Sequence, residues 1–158
     1  MRGYFGIGIY HSKSKRNIGT LWRSALLFNA SFVFTIQMRY KWQPTDTYKS
    51  WRHVPFFHYE NEEDFLKHIP HDCRLIGVEL TEEATDIAAF KHPERCIYLL
   101  GPEDKGLPQE LLALCGQVIK LPGKYSMNVS TAGSIVLYDR FLKMHQNGDM
   151  KGKHEAAL

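Results

Sequence analysis

Paired cysteines, long apolar runs and metal-ligand spacings are all missing from this chain. The three cysteines, Cys73, Cys96 and Cys115, are odd in number and form no C-x-x-C motif, which argues against a disulfide framework and a zinc cage. The eight histidines show no metal-ligand spacing, so no metal is expected. The longest charge-free, apolar-leaning stretch, residues 24–38, carries Asn29, Ser31 and Gln37 and is too short to span a bilayer. The N-terminus lacks the basic, apolar and small-residue succession of a secretory signal. These absences lead us to expect a soluble, reduced, cytoplasmic protein with no membrane contact. What is present is ordinary for a globular chain: 158 residues, 44% hydrophobic and 23% charged. That suits one domain burying roughly 70% of its unfolded surface.

The net charge of +3 hides an uneven distribution. Residues 1–52 hold nine Lys or Arg against one acid, Asp46, whereas residues 53–115 hold five against thirteen. Residues 116–158 hold six against three. A one-sided basic segment in a chain of small net charge fits a surface facing a polyanion, and it fits equally a solvated basic face.

Residues 4–10 (YFGIGIY) are β-prone and bounded by the polar run 11–16, the pattern of a buried strand. Asn17 is placed to cap a helix reaching about Phe28, with Leu21, Ala25 and Phe28 on one face. Further strands are expected over 31–37, 74–80, 96–100 and 117–121, and helices over 61–69, 82–90, 108–115 and 128–144. Residues 42–55, mixed polar and aromatic with two prolines, read as a long loop. Val129, Ala132, Ile135, Val136 and Phe141 give the last helix a broad apolar face. The domain is expected over 1–144, followed by a polar tail, 145–158, that frays. Strands alternating with helices argue for an α/β domain with a mainly parallel sheet. In such sheets ligands bind beyond the carboxyl ends of the strands.

Three loops fall at such ends. Residues 101–108 (GPEDKGLP) contain two glycines and two prolines, a rigid and sharply turning backbone. It suits main-chain contacts to a ligand or a plain strand-to-helix connection, and it matches neither G-x-G-x-x-G nor a P-loop. Residues 121–128 (LPGKYSMN) lead into the last helix, with Ser126 or Asn128 placed as its cap. Residues 17–23 (NIGTLWR) set Arg23 early in a helix, where the dipole gives a cation no benefit. Arg23 is either an ordinary surface arginine or one placed to meet an anion.

Taken together, N-I-G-T-L-W-R-S-A, Y-L-L-G-P-E-D-K-G-L-P and S-M-N-V-S-T-A-G-S-I-V-L-Y-D-R resemble, in order and spacing, the three signature motifs of the TrmH-like (SpoU) family. These are RNA ribose 2′-O-methyltransferases of the SPOUT class. The resemblance covers about 4–142. It implies a Rossmann-like, mainly parallel sheet ending in a deep trefoil knot, a threading that no sequence rule predicts. It also implies a homodimer with the knotted region and last helix near the interface. S-adenosylmethionine is the implied cofactor, held mainly by backbone at Val78, Glu79, Leu100, Gly101, Leu121, Ser126, Met127 and Asn128.

The same resemblance assigns catalytic roles to Arg23, Ser126 and Asn128. Arg23 matches the motif-one arginine. A guanidinium carries donors and no acceptor, so it is a poor base and serves better as an electrostatic clamp on phosphate or on the developing alkoxide. Asn17 is expected to position the target nucleotide and Glu103 to order Arg23 or neighbouring loops. Ser126 and Asn128 are expected to shape the cofactor site and orient the ribose.

The segment 122–126 is shorter than is usual in that family, and a minimal form without a separate N-terminal RNA-binding domain is expected. The chain is similar in this to the small members that modify tRNA, so tRNA is favoured over rRNA as partner. RNA must then bind the domain itself or its dimer mate. His11, Lys13, Lys15 and Arg16 offer cations, and Tyr40-Lys41-Trp42 with Tyr48-Lys49-Ser50-Trp51-Arg52 interleave cations with rings. Trp42 and Trp51 suit core or dimer contacts equally well. Two other readings exist. A SPOUT enzyme methylating a base nitrogen fits poorly with S-M-N-V-S beside Arg23. A non-catalytic RNA-binding or assembly factor fits poorly with intact Arg23, Glu103, Ser126 and Asn128.

Overall fold

A computed structural model describes residues 3–38 and 49–146. Seven strands make one sheet in which every pairing is parallel. They are β1 (Tyr4–Tyr10), β2 (Phe32–Ile36), β3 (Phe56–Tyr59), β4 (Arg74–Val78), β5 (Thr85–Asp86), β6 (Arg95–Leu100) and β7 (Gln117–Lys120). Their order is β3-β2-β1-β6-β4-β7-β5. Both faces are covered, which is why the central strands read as near-continuous apolar runs. Helices α1 (Lys15–Leu27) and α4 (Val129–Gln146) pack over Ile7, Ile9, Val33, Ile76 and Tyr98. Helices α2 (Glu62–Lys67) and α3 (Gln109–Leu114) cover Phe34, Ile36, Leu75, Ile97 and Leu99.

Helix α1 begins earlier than the sequence pattern suggests. Ser14 is its N-cap, with Oγ accepting from the Arg16 amide at 3.2 Å, and Asn17 lies inside the first turn with its side chain turned inward. Helix α4 crosses α1 closely because residue 133 is glycine. A Cβ there would lie 2.5 Å from Leu21 Cδ1. Ser24 and Ser134 join hydroxyls at 2.7 Å across the same contact.

Residues 82–90 are not the expected helix. Thr85–Asp86 add a short strand to β7, and Ile87–Ala89 form a 3-10 turn with the Asp86 carboxylate accepting from the Ala88 amide. Lysines from elsewhere in the chain hold carbonyls at both ends of this segment. Lys120 donates to Thr81 and Glu82, and Lys143 donates to Ile87 and Phe90. The strand β3, directly after the expected loop, pairs with β2 at the sheet's edge. Within that loop, Ser50–Arg52 form a 3-10 turn, while residues 42–48 lie outside the described residues. Helix α4 runs to Gln146, past the expected limit near Met144; residues 147–158 of the tail lie outside the described residues.

The far half of α4 is held by a part-buried polar cluster. His92 Nδ1 lies 2.6 Å from the Tyr98 hydroxyl and Nε2 lies 2.8 Å from Asp139 Oδ2, which also accepts from Lys143 Nζ at 2.7 Å. A neutral imidazole protonated on Nε2 satisfies both contacts, donating to Asp139 and accepting from Tyr98. Buried Arg140 donates to the carbonyls of Pro93 and Glu94 and lies over the Phe5 ring at 4.3 Å. Burial holds His92 below the ordinary imidazole pKa, outweighing the opposite pull of Asp139.

This has a sign. The unfolded chain takes up the proton near about pH 6.5 and the folded chain only lower. The contribution of His92 to stability is complete above that value and is lost as pH falls toward the folded pKa. Urea unfolding at pH 7.5 and at pH 5 should therefore show a larger loss for the natural chain than for His92→Gln. Equal losses would remove His92 as the source.

Candidate active site

A cavity of about 370 Å³ lies at the carboxyl ends of β4, β6 and β7. Its walls are the segment after β4 (78–81), the loop after β6 (100–107), the segment after β7 (121–127) and the first turn of α4. Val78, Glu79, Leu100, Gly101, Leu121, Ser126 and Met127 all line it, as seven of the eight residues the family resemblance placed at a cofactor. Asn128 is not among the lining residues.

Glu79 shapes the loop after β6. Its amide donates to Ile119 at 3.0 Å, while its carboxylate accepts from the Leu107 amide at 2.8 Å and the Leu80 amide at 3.1 Å. A Cβ on Gly106 would come within 2.7 Å of that carboxylate, and Gly106 also has φ +65°. A Cβ on Gly101 would meet the 106–107 backbone at 2.7 Å. Glycine at both positions lets the loop close on itself around the carboxylate, with the Gly106 amide donating to Pro102 at 3.0 Å. The family resemblance placed Glu79 among positions that hold the cofactor mainly through backbone, and it gave no role to the carboxylate. The paired glycines are the visible signal in the sequence, but their partner follows the end of another strand, β4.

A second set of hydrogen bonds joins the three motifs. The Asn128 Nδ2 donates to Asn17 Oδ1 at 3.1 Å, and the Asn17 Nδ2 donates to Glu103 Oε1. Asn128 Oδ1 accepts from the amides of Ser130 (3.1 Å) and Thr131 (3.2 Å), so Asn128 rather than Ser126 caps α4. Glu103 therefore orders Asn17 directly. Its other oxygen, Oε2, is buried and has no hydrogen-bond partner among the described residues. Glu103 also lines the cavity. An unmet buried acceptor there suits a donor hydrogen from a ligand.

The expected cations stand outside the cavity. Arg16 and Arg23, seven residues apart, share an exposed stripe of α1 with Thr20 and Leu27. Lys15 is also exposed. Lys13 pairs with Asp104 at 2.6 Å, tying the loop after β1 to the loop after β6. Of the aromatic and basic run, Lys49, Trp51 and Arg52 are exposed, and Tyr40, Lys41, Trp42 and Tyr48 lie outside the described residues. Among the described residues no helix is long and apolar enough to cross a membrane, and no group of three His, Cys, Asp or Glu could hold a metal ion.

Comparison with known proteins identifies the family and the fold. The family model described as SpoU rRNA Methylase matches residues 5–138. The tRNA (guanosine(18)-2′-O)-methyltransferase of Escherichia coli (strain K12) is 30% identical over 88 residues, covering 54% of this chain and 38% of that protein. The mouse protein tRNA (guanosine(18)-2′-O)-methyltransferase TARBP1 is 31% identical over 68 residues, covering 41% of this chain and 4% of its own length. The chain thus spans well under half the length of these relatives.

Among solved structures, one described under 2-OH methylation of C/U34 on tRNA has a TM-score of 0.80 at 21% identity, covering 91% of this chain and 98% of its own. The SpoU methyltransferase AviRb of Streptomyces viridochromogenes, solved with AdoMet, has a TM-score of 0.81 at 19% identity, covering 92% and 62%. The shared fold and the family match over most of its length make this chain a member of the SpoU methylase family.

Proposed function

We propose that this protein transfers a methyl group from S-adenosylmethionine to a ribose 2′-hydroxyl of RNA, tRNA in preference to rRNA, as a cytoplasmic homodimer. The observation that carries this is the cavity at the strand ends, bordered by the Glu103–Asn17–Asn128 hydrogen bonds, in a chain of the SpoU family. The residues present suit the cofactor. The volume lies within the range of about 300–1,000 Å³ usual for such sites. Leu100, Leu121, Val129 and Ala132 offer apolar wall, Glu79 holds the 101–107 backbone around it, and Ser126 and Met127 close the rim. Val78 and Gly101 complete the main-chain cradle.

When bound, S-adenosylmethionine supplies a methyl group already activated by its sulfonium charge. What remains for the protein is alignment and the handling of one proton. Asn17, held on both sides, positions the nucleotide, and Asn128 and Ser126 orient the ribose. Arg23 has donors only and cannot take up the proton. It clamps phosphate or the growing charge on the 2′-oxygen. Arg16, Lys15 and Lys13 lie along the RNA backbone, with Lys13 already partnered by Asp104. Exposed Leu27, Tyr138 and Leu142, with Phe28 against Tyr138 at 5.9 Å, form an apolar ridge on α1 and α4 for the dimer mate. The trefoil knot belongs, on family grounds, to the segment carrying the cavity.

Incubation with methyl-labelled S-adenosylmethionine and tRNA, followed by alkaline hydrolysis, should leave label in alkali-resistant dinucleotides. Label confined to mononucleotides would mean base methylation, and none at all a binding factor. Arg23→Ala should slow transfer by about 10²-fold or more while calorimetry shows cofactor binding nearly unchanged. Equal loss of both would refute the substrate-side role of Arg23.

Glu79→Ala should weaken cofactor binding about tenfold, since the buried Leu107 amide loses its acceptor, with Glu79→Gln in between. An unchanged affinity would show that the loop holds its shape without the carboxylate. Replacing Lys15 and Arg16 by Gln should flatten the salt dependence of RNA binding by about 0.7–0.9 for each phosphate that is no longer neutralised. An unaltered slope places the RNA elsewhere.

A further inference from the structure

A second concavity, of about 460 Å³, opens between α1 and the edge strand β3, lined by Trp22, Met38, Trp51, Phe56 and His58. The register Val33 to Phe56 and Thr35 to His58 sets Phe56 and His58 on the sheet face that α1 covers. Trp22 of α1 lies against Phe56 with ring centroids 5.1 Å apart, and its Nε1 donates to the Val54 carbonyl at 2.8 Å. That bond fastens the segment after the 3-10 turn to the helix. His58 is held by Thr35, Nδ1 to Oγ1 at 2.9 Å. Trp51 is different: it is 53% exposed, and the Arg52 guanidinium stands 5.2 Å from its ring centroid.

The two segments that build the cleft are basic along the sequence, and the first acids beyond them, Glu60 and Glu62, follow β3, with Glu62 already accepting from Tyr10 and Gln37. Residues 3–38 and 49–59 contain no Asp or Glu against six Lys or Arg. A polyanion with flat rings matches both the basic segments and the exposed indole. The cleft is also near the candidate active site along α1. Trp22 follows Asn17 by five residues, about 7.5 Å of helix rise, and precedes Arg23 directly. Neighbouring nucleotides of one strand can bridge that separation.

We propose that this cleft takes an unpaired nucleobase of the RNA, one flanking the methylated nucleotide. The base stacks on Trp51, and Arg52 meets the adjoining phosphate. The cleft thereby selects RNA whose target lies in an open loop rather than a duplex. This rests on the RNA methyltransferase reading above.

The test uses the full chain with purified tRNA and with a short single-stranded RNA, alongside the same oligomer carrying abasic positions. Trp51→Ala should weaken RNA binding about ten- to a hundredfold and raise KM for tRNA, with cofactor affinity unchanged. Trp51→Phe, which keeps a ring, should retain most of the affinity, and the abasic oligomer should no longer distinguish the natural chain from Trp51→Ala. Arg52→Gln should flatten the salt slope by about 0.7–0.9, whereas Trp51→Ala should leave it as it was.

If the natural chain methylates tRNA and Trp51→Ala matches it in affinity and KM, the cleft proposal alone falls. A lower melting temperature with unchanged RNA binding would assign Trp51 to packing within the chain, and dissociation of the dimer would assign the cleft to a second copy. Either result overturns the proposal. If the natural chain binds no RNA, the cleft and the methyltransferase reading fall together.

Discussion

The hydrogen bonds from Asn128 to Asn17 and from Asn17 to Glu103 are the constraint on which the site depends. The three residues come from the start of α1, the loop after β6 and the start of α4, and these bonds join all three in one chain. Asn128 does two things with one side chain. Its oxygen caps α4, a contribution of about 1 kcal/mol, and its nitrogen orients Asn17. Any shift of α4 along its axis therefore misplaces Asn17 and, through it, Glu103. The neighbouring pair Lys13 and Asp104 is more exposed, with side chains 40% and 31% accessible, and a surface pair of that kind adds little.

Holding α4 in place is accordingly spread over its whole length. Gly133 admits Leu21 where the two helices cross, and the part-buried His92, Asp139 and Arg140 contacts fasten the far half to the segment before β6. The parallel sheet brings the strand ends together, and the loops at those ends carry the chemistry. Glu79 shows how tightly the two are linked. It leaves the end of β4 and sets the conformation of the loop after β6 through one carboxylate.

Helix α1 serves three surfaces at once, because a period of 3.6 residues distributes its side chains around the axis. Asn17 and Ser24 face the hydrogen-bonded interior, with Ser24 against α4. Arg16 and Arg23 form the exposed basic stripe, and Trp22 reaches toward β3. The cavity, the cationic surface and the aromatic cleft are thus kept in fixed relation by a single rigid element.

The sequence by itself determined the central strands and the identity of the three motif loops. Burial on both faces writes β1, β2, β4 and β6 as apolar runs, and a resemblance in order and spacing picks out Asn17, Arg23, Glu103, Ser126 and Asn128. It misplaced what depends on distant partners. Residues 82–90 look helical by local pattern, yet Lys120 and Lys143 hold carbonyls at both ends of the segment and β7 takes Thr85 and Asp86. Asn17 looks like a cap, yet Ser14 fills that role.

The bracing by Glu79 spans 28 residues, and the bond from Asn128 to Asn17 spans 111. Only the tertiary structure decided these, along with the strand order and the cleft beside Trp51. The physical reason is that a hydrogen bond acts over about 3 Å in space and leaves no mark at any fixed interval along the chain.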